Sequence, residues 1–167
     1  MDKFPYSQNK KDLEHHLGYI NQCLEMAEQN VEENGGPFAA IIVKDNKIIA
    51  LSGNRVTEKN DPTAHAEILA IRKACESLNT FNLSGCSIYT STYPCPMCFG
   101  AIYWAHLDAV YYAATKFDAA NAGFDDDFIY KELENSQNKR IPFFQVKSGH
   151  SLKPFNKWKN KTDKQAY

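Results

Sequence analysis

Between Asp12 and Glu33, apolar residues recur at Leu13, Leu17, Ile20, Leu24, Ala27 and Val31, in steps of four and three that mark an amphipathic helix. Asn34-Gly35-Gly36-Pro37 stops it. Two β-rich runs follow, Phe38–Val43 and Lys47–Leu51, and the polar break Lys44-Asp45-Asn46 between them reads as a hairpin turn. Ser52–Pro62 is polar and reads as an exposed loop. Thr63–Leu78 places Ala66, Leu69, Ala70 and Ala74 at helical spacing, with Thr63 or Asp61 available as N-cap. Cys86–Thr90 reads as a strand, Pro96–His106 as a helix, Ala109–Ala114 as a strand, Phe128–Leu133 as a short helix and Phe143–Val146 as a last strand. That order predicts an α/β protein: a mixed, mostly five-stranded sheet with helices on both faces.

A chain of 167 residues is the size of one domain, and one of that length buries roughly 70% of its unfolded surface. With 43% hydrophobic and 23% charged residues, disorder across the body is excluded. The net charge of -1 lacks the positive balance that binding to long nucleic acid calls for, which points to a small substrate. No apolar run is long enough for a membrane span, and the start, MDKFPYSQNKK, has no apolar signal core, so a cytoplasmic location is expected. Five cysteines make an odd number; Cys23, Cys75 and Cys86 read as small buried hydrophobes. The four lysines Lys157, Lys159, Lys161 and Lys164 read as a solvated face.

Cys95 and Cys98 carry a different signal. They lie three apart in Pro94-Cys95-Pro96-Met97-Cys98, where a strand end runs into a helix, so both thiolates can project from the first turn toward one point. Pro96 suits that turn because its missing N–H costs nothing there, and the helix N-terminus favours thiolates. His65 opens the other helix in Thr63-Ala64-His65-Ala66-Glu67. Catalytic zinc takes three such protein ligands and keeps a fourth position for water. A carboxylate placed like Glu67 can reach past the metal and move the protons of that water without being a ligand. C-x-x-C alone is also a redox pair or half of a structural site. In this order, however, H-x-E followed by P-C-x-x-C is the zinc deaminase pattern, with His65, Cys95 and Cys98 as ligands and Glu67 as the catalytic residue. The remaining histidines, His15, His16, His106 and His150, show no partnered ligand spacing.

The segments GGPFAAIIVKD, NDPTAHAEILAIRKAC and YPCPMCFGAIYWA, with YYAATKFDAANAGFDDDFIYKEL, IPFFQV, PFNKW and the terminal Tyr167, span nearly the whole chain. On these the chain resembles the cytidine deaminase superfamily and, within it, the small bacterial guanine deaminases. The resemblance implies a three-layer α/β/α sandwich, Zn2+ as cofactor, hydrolysis of guanine to xanthine and ammonia, and a homodimer. It implies one deaminase domain over residues 1–167, in which segment 147–167 closes the pocket, in some members by exchange between subunits. Tyr167 and Asp126 are expected at the substrate by the same resemblance, with Asp125 and Asp127 as neighbouring alternatives to Asp126. Phe38 offers a ring to stack on a base or to pack in the core, and Asn54 offers a donor and an acceptor for the base edge or serves as a turn residue. Ala66, between ligand and carboxylate, and Trp104, on the cysteine helix, complete the expected contacts. Tyr93 departs from the family, which commonly has glutamate before the Pro-Cys pair, and leaves guanosine or another amino-purine or triazine open. A tRNA adenosine deaminase, a cytosine or cytidine deaminase and a non-catalytic zinc-binding module are the remaining alternatives; Glu67 argues against the last.

Overall fold

Ala39, Ile41 and Val43 turn to one side of the first strand and Ala40 and Ile42 to the other, and all five are buried. A strand covered on both faces belongs in the middle of a sheet. The computed structural model describes residues 10–134, 140–146 and 148–165. The chain divides between Asp127 and Phe128 into two compact units. The first holds α1 (Lys10–Glu32), β1 (Ala39–Lys44), β2 (Lys47–Gly53), α2 (Val56–Lys59), α3 (Ala66–Leu78), β3 (Cys86–Thr92), α4 (Pro96–Trp104), β4 (Ala109–Ala114) and α5 (Lys116–Asn121). The sheet order is β2-β1-β3-β4, with β1 antiparallel to both neighbours and β3 parallel to β4.

Helices cover both faces, as the order of elements predicts. On one, Tyr19, Cys23 and Ala27 of α1 meet Ala39, Ile41, Val43 and Tyr89. On the other, Ala66, Ala70 and Ala74 of α3 and Ile102 of α4 meet Ala40, Ile42 and Ile88. Ile41, Ile42 and Ile88 are fully out of water, and such a side chain contributes about 2–3 kcal/mol. Asp45 and Asn46 both have positive φ (47° and 61°), the mirror-image turn that matches strand twist, which confirms the predicted hairpin.

The structure corrects several expectations. The buried row of α1 is Tyr19, Cys23, Ala27 and Asn30; Leu17 and Val31 are 46% and 50% exposed. The helix is rotated because aromatic and polar groups decide its contacts: His16 Nδ1 meets Tyr89 Oη at 2.8 Å and Tyr19 Oη donates to the Asn46 carbonyl at 2.9 Å. The stop at Asn34-Gly35-Gly36-Pro37 is as expected: Asn34, at φ 64°, supports hydrogen bonds from Gly35 N–H to Asn30 O and from its own N–H to Val31 O. Neither Asp61 nor Thr63 caps α3; the Asp61 carboxylate accepts from the Thr63 N–H and hydroxyl, and the helix starts at Ala66 with His65 as N-cap. The sheet has four strands among the described residues, because residues 143–146 form no strand; Phe144 and Val146 there are 84% and 86% exposed.

The second unit carries most of α6 (Asp127–Glu134) and α7 (Lys153–Asn160). Within it the Arg140 guanidinium lies 4.0 Å from the centre of the Phe128 ring. The helices α2, α5 and α7 escape the periodicity argument because none is longer than eight residues. Among the described residues, no helix is long and apolar enough to cross a membrane.

Candidate metal centre

Two helix starts converge on one point. His65 and Cys95 are the N-caps of α3 and α4, both with extended backbone, and Cys98 is the third residue of α4 behind Pro96. Pro96 cannot donate a backbone hydrogen bond, which suits a first turn, and its ring presets the helical φ. The sulfurs of Cys95 and Cys98 lie 3.5 and 3.6 Å from His65 Nδ1, and the three ligand atoms stand within 4.8 Å of one another. Tetrahedral zinc, with bonds of about 2.3 Å to sulfur and 2.0–2.1 Å to nitrogen, separates sulfur from nitrogen by about 3.5–3.6 Å. The donor set therefore has both the chemistry and the spacing for such an ion.

The charges reinforce one another. Cys98 and His65 pull Cys95 down to about 4, against the opposing effect of burial. Cys98 is pushed up, first by its hydrogen bond to Cys95 and then by burial. The hydrogen bond to Cys95 raises His65 against the opposing effect of burial. Glu67, the second residue of α3, is only 8% exposed, and burial raises its carboxyl above the usual range. Cys95, His65 and Cys98 all bear on its carboxyl, so it stands beside the ligand trio.

The three neighbouring acids separate by geometry. Asp125 accepts from the Asp127 N–H at 3.0 Å, and Asp127 pairs with Lys116 at 3.3 Å. Asp126 is the acid whose charge is felt by His65, while burial and the Cys95 thiolate raise its own carboxyl. Phe38 and Asn54 are joined by a hydrogen bond from Asn54 N–H to the Phe38 carbonyl (2.9 Å), and Arg55 N–H reaches the Ala64 carbonyl, one residue before His65 (3.0 Å). Asn54 Oδ1 accepts from Val56 N–H at 3.2 Å, and the Phe38 ring meets Phe124 edge-on, 4.8 Å between centres. Ala66 is fully buried at the head of α3.

Residues 13–114 match the family described as the cytidine and deoxycytidylate deaminase zinc-binding region. The chain belongs to this deaminase family. It is 52% identical to guanine deaminase of Bacillus subtilis (strain 168) over 91% of its own length and 99% of the relative's. It is similar to the X-ray structure of guanine deaminase from Bacillus subtilis, with a TM-score of 0.89 and 51% identity, over 91% of this chain and 98% of that one. A tRNA-specific adenosine deaminase of Aquifex aeolicus is 42% identical over 58% of this chain and 64% of its own.

Two aromatic residues flank the cysteine pair. Trp104 closes α4, about 9 Å of helix rise beyond Cys98, and is 67% exposed. Tyr93 packs edge-on against Tyr112 at 5.1 Å and lines a cleft of ≈ 640 Å³ with Pro94 and residues of α4 and β4. Tyr167 lies outside the described residues. Sequence reasoning missed Asn30, which is 2% exposed. Its signal was present: it falls three residues after Ala27 in the row of Tyr19 and Cys23, a polar side chain at a core position.

Proposed function

We propose that this chain hydrolyses guanine to xanthine and ammonia, with zinc held by His65, Cys95 and Cys98 and with Glu67 as the catalytic residue. The observation that carries the reading is the trio of ligand atoms beside a buried carboxylate, in a chain that aligns with guanine deaminase over 91% of its length. Zinc held there supplies Lewis-acid activation of water. Glu67 takes the protons of the attacking water and delivers one to the ring nitrogen beside the amine-bearing carbon and one to the departing nitrogen. Oxygen joins the amine-bearing carbon, the carbon–nitrogen bond breaks, and the amine leaves as ammonia. Buried beside Cys98, Glu67 is shielded from bulk solvent and holds its proton at the reacting atoms.

Recognition falls to the residues around this point. The Phe38 ring stacks on the base and Ala66 packs against it at the head of α3. Asn54, whose Oδ1 is engaged by Val56 N–H, offers its Nδ2 hydrogens to a base acceptor. Asp126 offers a carboxylate to base N–H groups. A site built on hydrogen bonds rejects a base lacking them by about 10⁴-fold or more.

The same reading makes the chain one deaminase domain in a homodimer. The row Phe99, Tyr103 and Trp104, 43%, 68% and 67% exposed, supports α4 as the face shared by two copies. The exposed Ile141, Phe144 and Val146 support exchange of the C-terminal region, and segment 147–167 with Tyr167 is assigned the closing of the pocket. Reduced thiols at Cys95 and Cys98 fit the cytoplasm.

Ammonia release from guanine, guanosine, adenine, cytosine, cytidine and a tRNA anticodon loop tests the substrate. Guanine is expected to turn over fastest; turnover of the RNA and not of guanine overturns the reading.

A further inference from the structure

One buried side chain lies where the substrate loops meet, yet it has no part in the chemistry above. Asn30 Nδ2 donates to the Gly36 carbonyl at 2.7 Å and to the Asn54 carbonyl at 2.9 Å. Both hydrogens of the amide are thereby used, which fixes which end is nitrogen. Its Oδ1 is buried and has no hydrogen-bond partner. Two glycines make room for it: a Cβ at Gly35 would stand 2.4 Å from Asn30 Nδ2, and one at Gly53 would stand 2.4 Å from Asn30 Oδ1. Neither glycine has positive φ, so the space, not the backbone conformation, calls for glycine there.

The two carbonyls it holds belong to segments with separate tasks. Gly36 leads into Phe38, and Asn54 follows β2. The same junction is laced by Asn54 N–H to Phe38 O, by Thr57 hydroxyl to Asn34 O (3.3 Å), and by Arg55 to Glu33 (3.1 Å). Those last two contacts lie at the surface and are worth little. Asn30 is the fully buried tie, and a buried amide bound twice to main chain holds a loop far more tightly than an exposed ion pair.

We infer that Asn30 is a positioning residue for base recognition: by clamping the Asn54 and Gly36 carbonyls from α1, it sets the place of the Asn54 amide and the Phe38 ring against the bound purine. This rests on the proposed roles of Asn54 and Phe38. It predicts that loss of the clamp weakens substrate binding and leaves the metal and the proton transfer in place.

The test is a double-mutant cycle on the full-length, zinc-loaded enzyme, with Asn30→Ala, Asn54→Ala and the double variant. Asn30→Ala is expected to raise KM for guanine about tenfold with kcat changed less than about threefold, at unchanged zinc content. In the Asn54→Ala background the same change is expected to add little. Full additivity, or an unchanged KM in Asn30→Ala while Asn54→Ala raises it, overturns the inference. Gly53→Ala, which keeps the amide but presses on its Oδ1, is expected to shift KM in the same direction and serves if Asn30→Ala fails to fold. A readout without turnover separates this inference from the substrate assignment: the side-chain amide resonances of Asn54 should move in Asn30→Ala protein with no base added. Unmoved resonances overturn the clamp, whereas a wild-type enzyme inactive on guanine overturns the substrate reading alone.

Discussion

Replacing Glu67 by glutamine exchanges one carboxylate oxygen for an amide nitrogen and leaves the shape of the first turn of α3 intact. The substitution removes the group proposed to carry the proton. A positioned general acid–base contributes about 10²–10⁴-fold, or about 2.7–5.5 kcal/mol of barrier. The surroundings of Glu67 select the upper half of that range. At 8% exposure, beside Cys98, the position is closed to bulk solvent as a substitute base. The other carboxylate in electrostatic reach, Asp126, stands between α5 and α6 and is itself more exposed. A fall in kcat of about 10³–10⁴-fold is therefore expected, with zinc content unchanged because Glu67 is not a proposed ligand. Steady-state ammonia release and elemental analysis of the same preparation measure both. Activity within tenfold of the parent enzyme, in protein that still holds its metal, would refute the proton-carrying role.

Two further substitutions probe the centre and its scaffold. Cys98→Ala removes a proposed ligand, so zinc by elemental analysis should drop from stoichiometric to near zero and deamination should vanish; a variant that keeps its metal would show that Cys98 does not bind it. Ile88→Ala empties a fully buried position in β3, and an isoleucine-to-alanine deletion of this kind costs about 3–4 kcal/mol, read as a lower denaturant midpoint; a shift under about 1 kcal/mol would mean that the site collapses around the missing carbons.

The candidate centre was legible in the sequence because its parts are local. Cysteines three apart behind a proline-bearing helix start, and a carboxylate two residues after a histidine, keep their relations whatever the rest of the chain does. Helix identity followed from apolar spacing sustained over several turns, as in α3, and strand identity from a β-branched-rich run bounded by turn residues, as in β1. What stayed hidden was tertiary. The rotation of α1 depends on His16 and Tyr19 finding Tyr89 and Asn46 across the fold, which no hydrophobic count includes. The choice among Asp125, Asp126 and Asp127 depends on Lys116, eleven residues before Asp127. Asn30 carries its signal in the row of Tyr19, Cys23 and Ala27, but the space that admits it, left by Gly35 and Gly53, is visible only in the fold. The apolar run at 143–146 had the composition of a strand, but composition does not supply a neighbour to pair with.

His65 and Cys95 stand where helices ordinarily carry serine, threonine or aspartate, and neither side chain turns back to cap its own helix. Each forgone cap weakens a helix start by about 1 kcal/mol. Anchorage of α3 and α4 is thus vested in the residues that face the shared centre. On the proposed ligation, metal binding by His65 and Cys95 would supply the order that a capping side chain gives other helices.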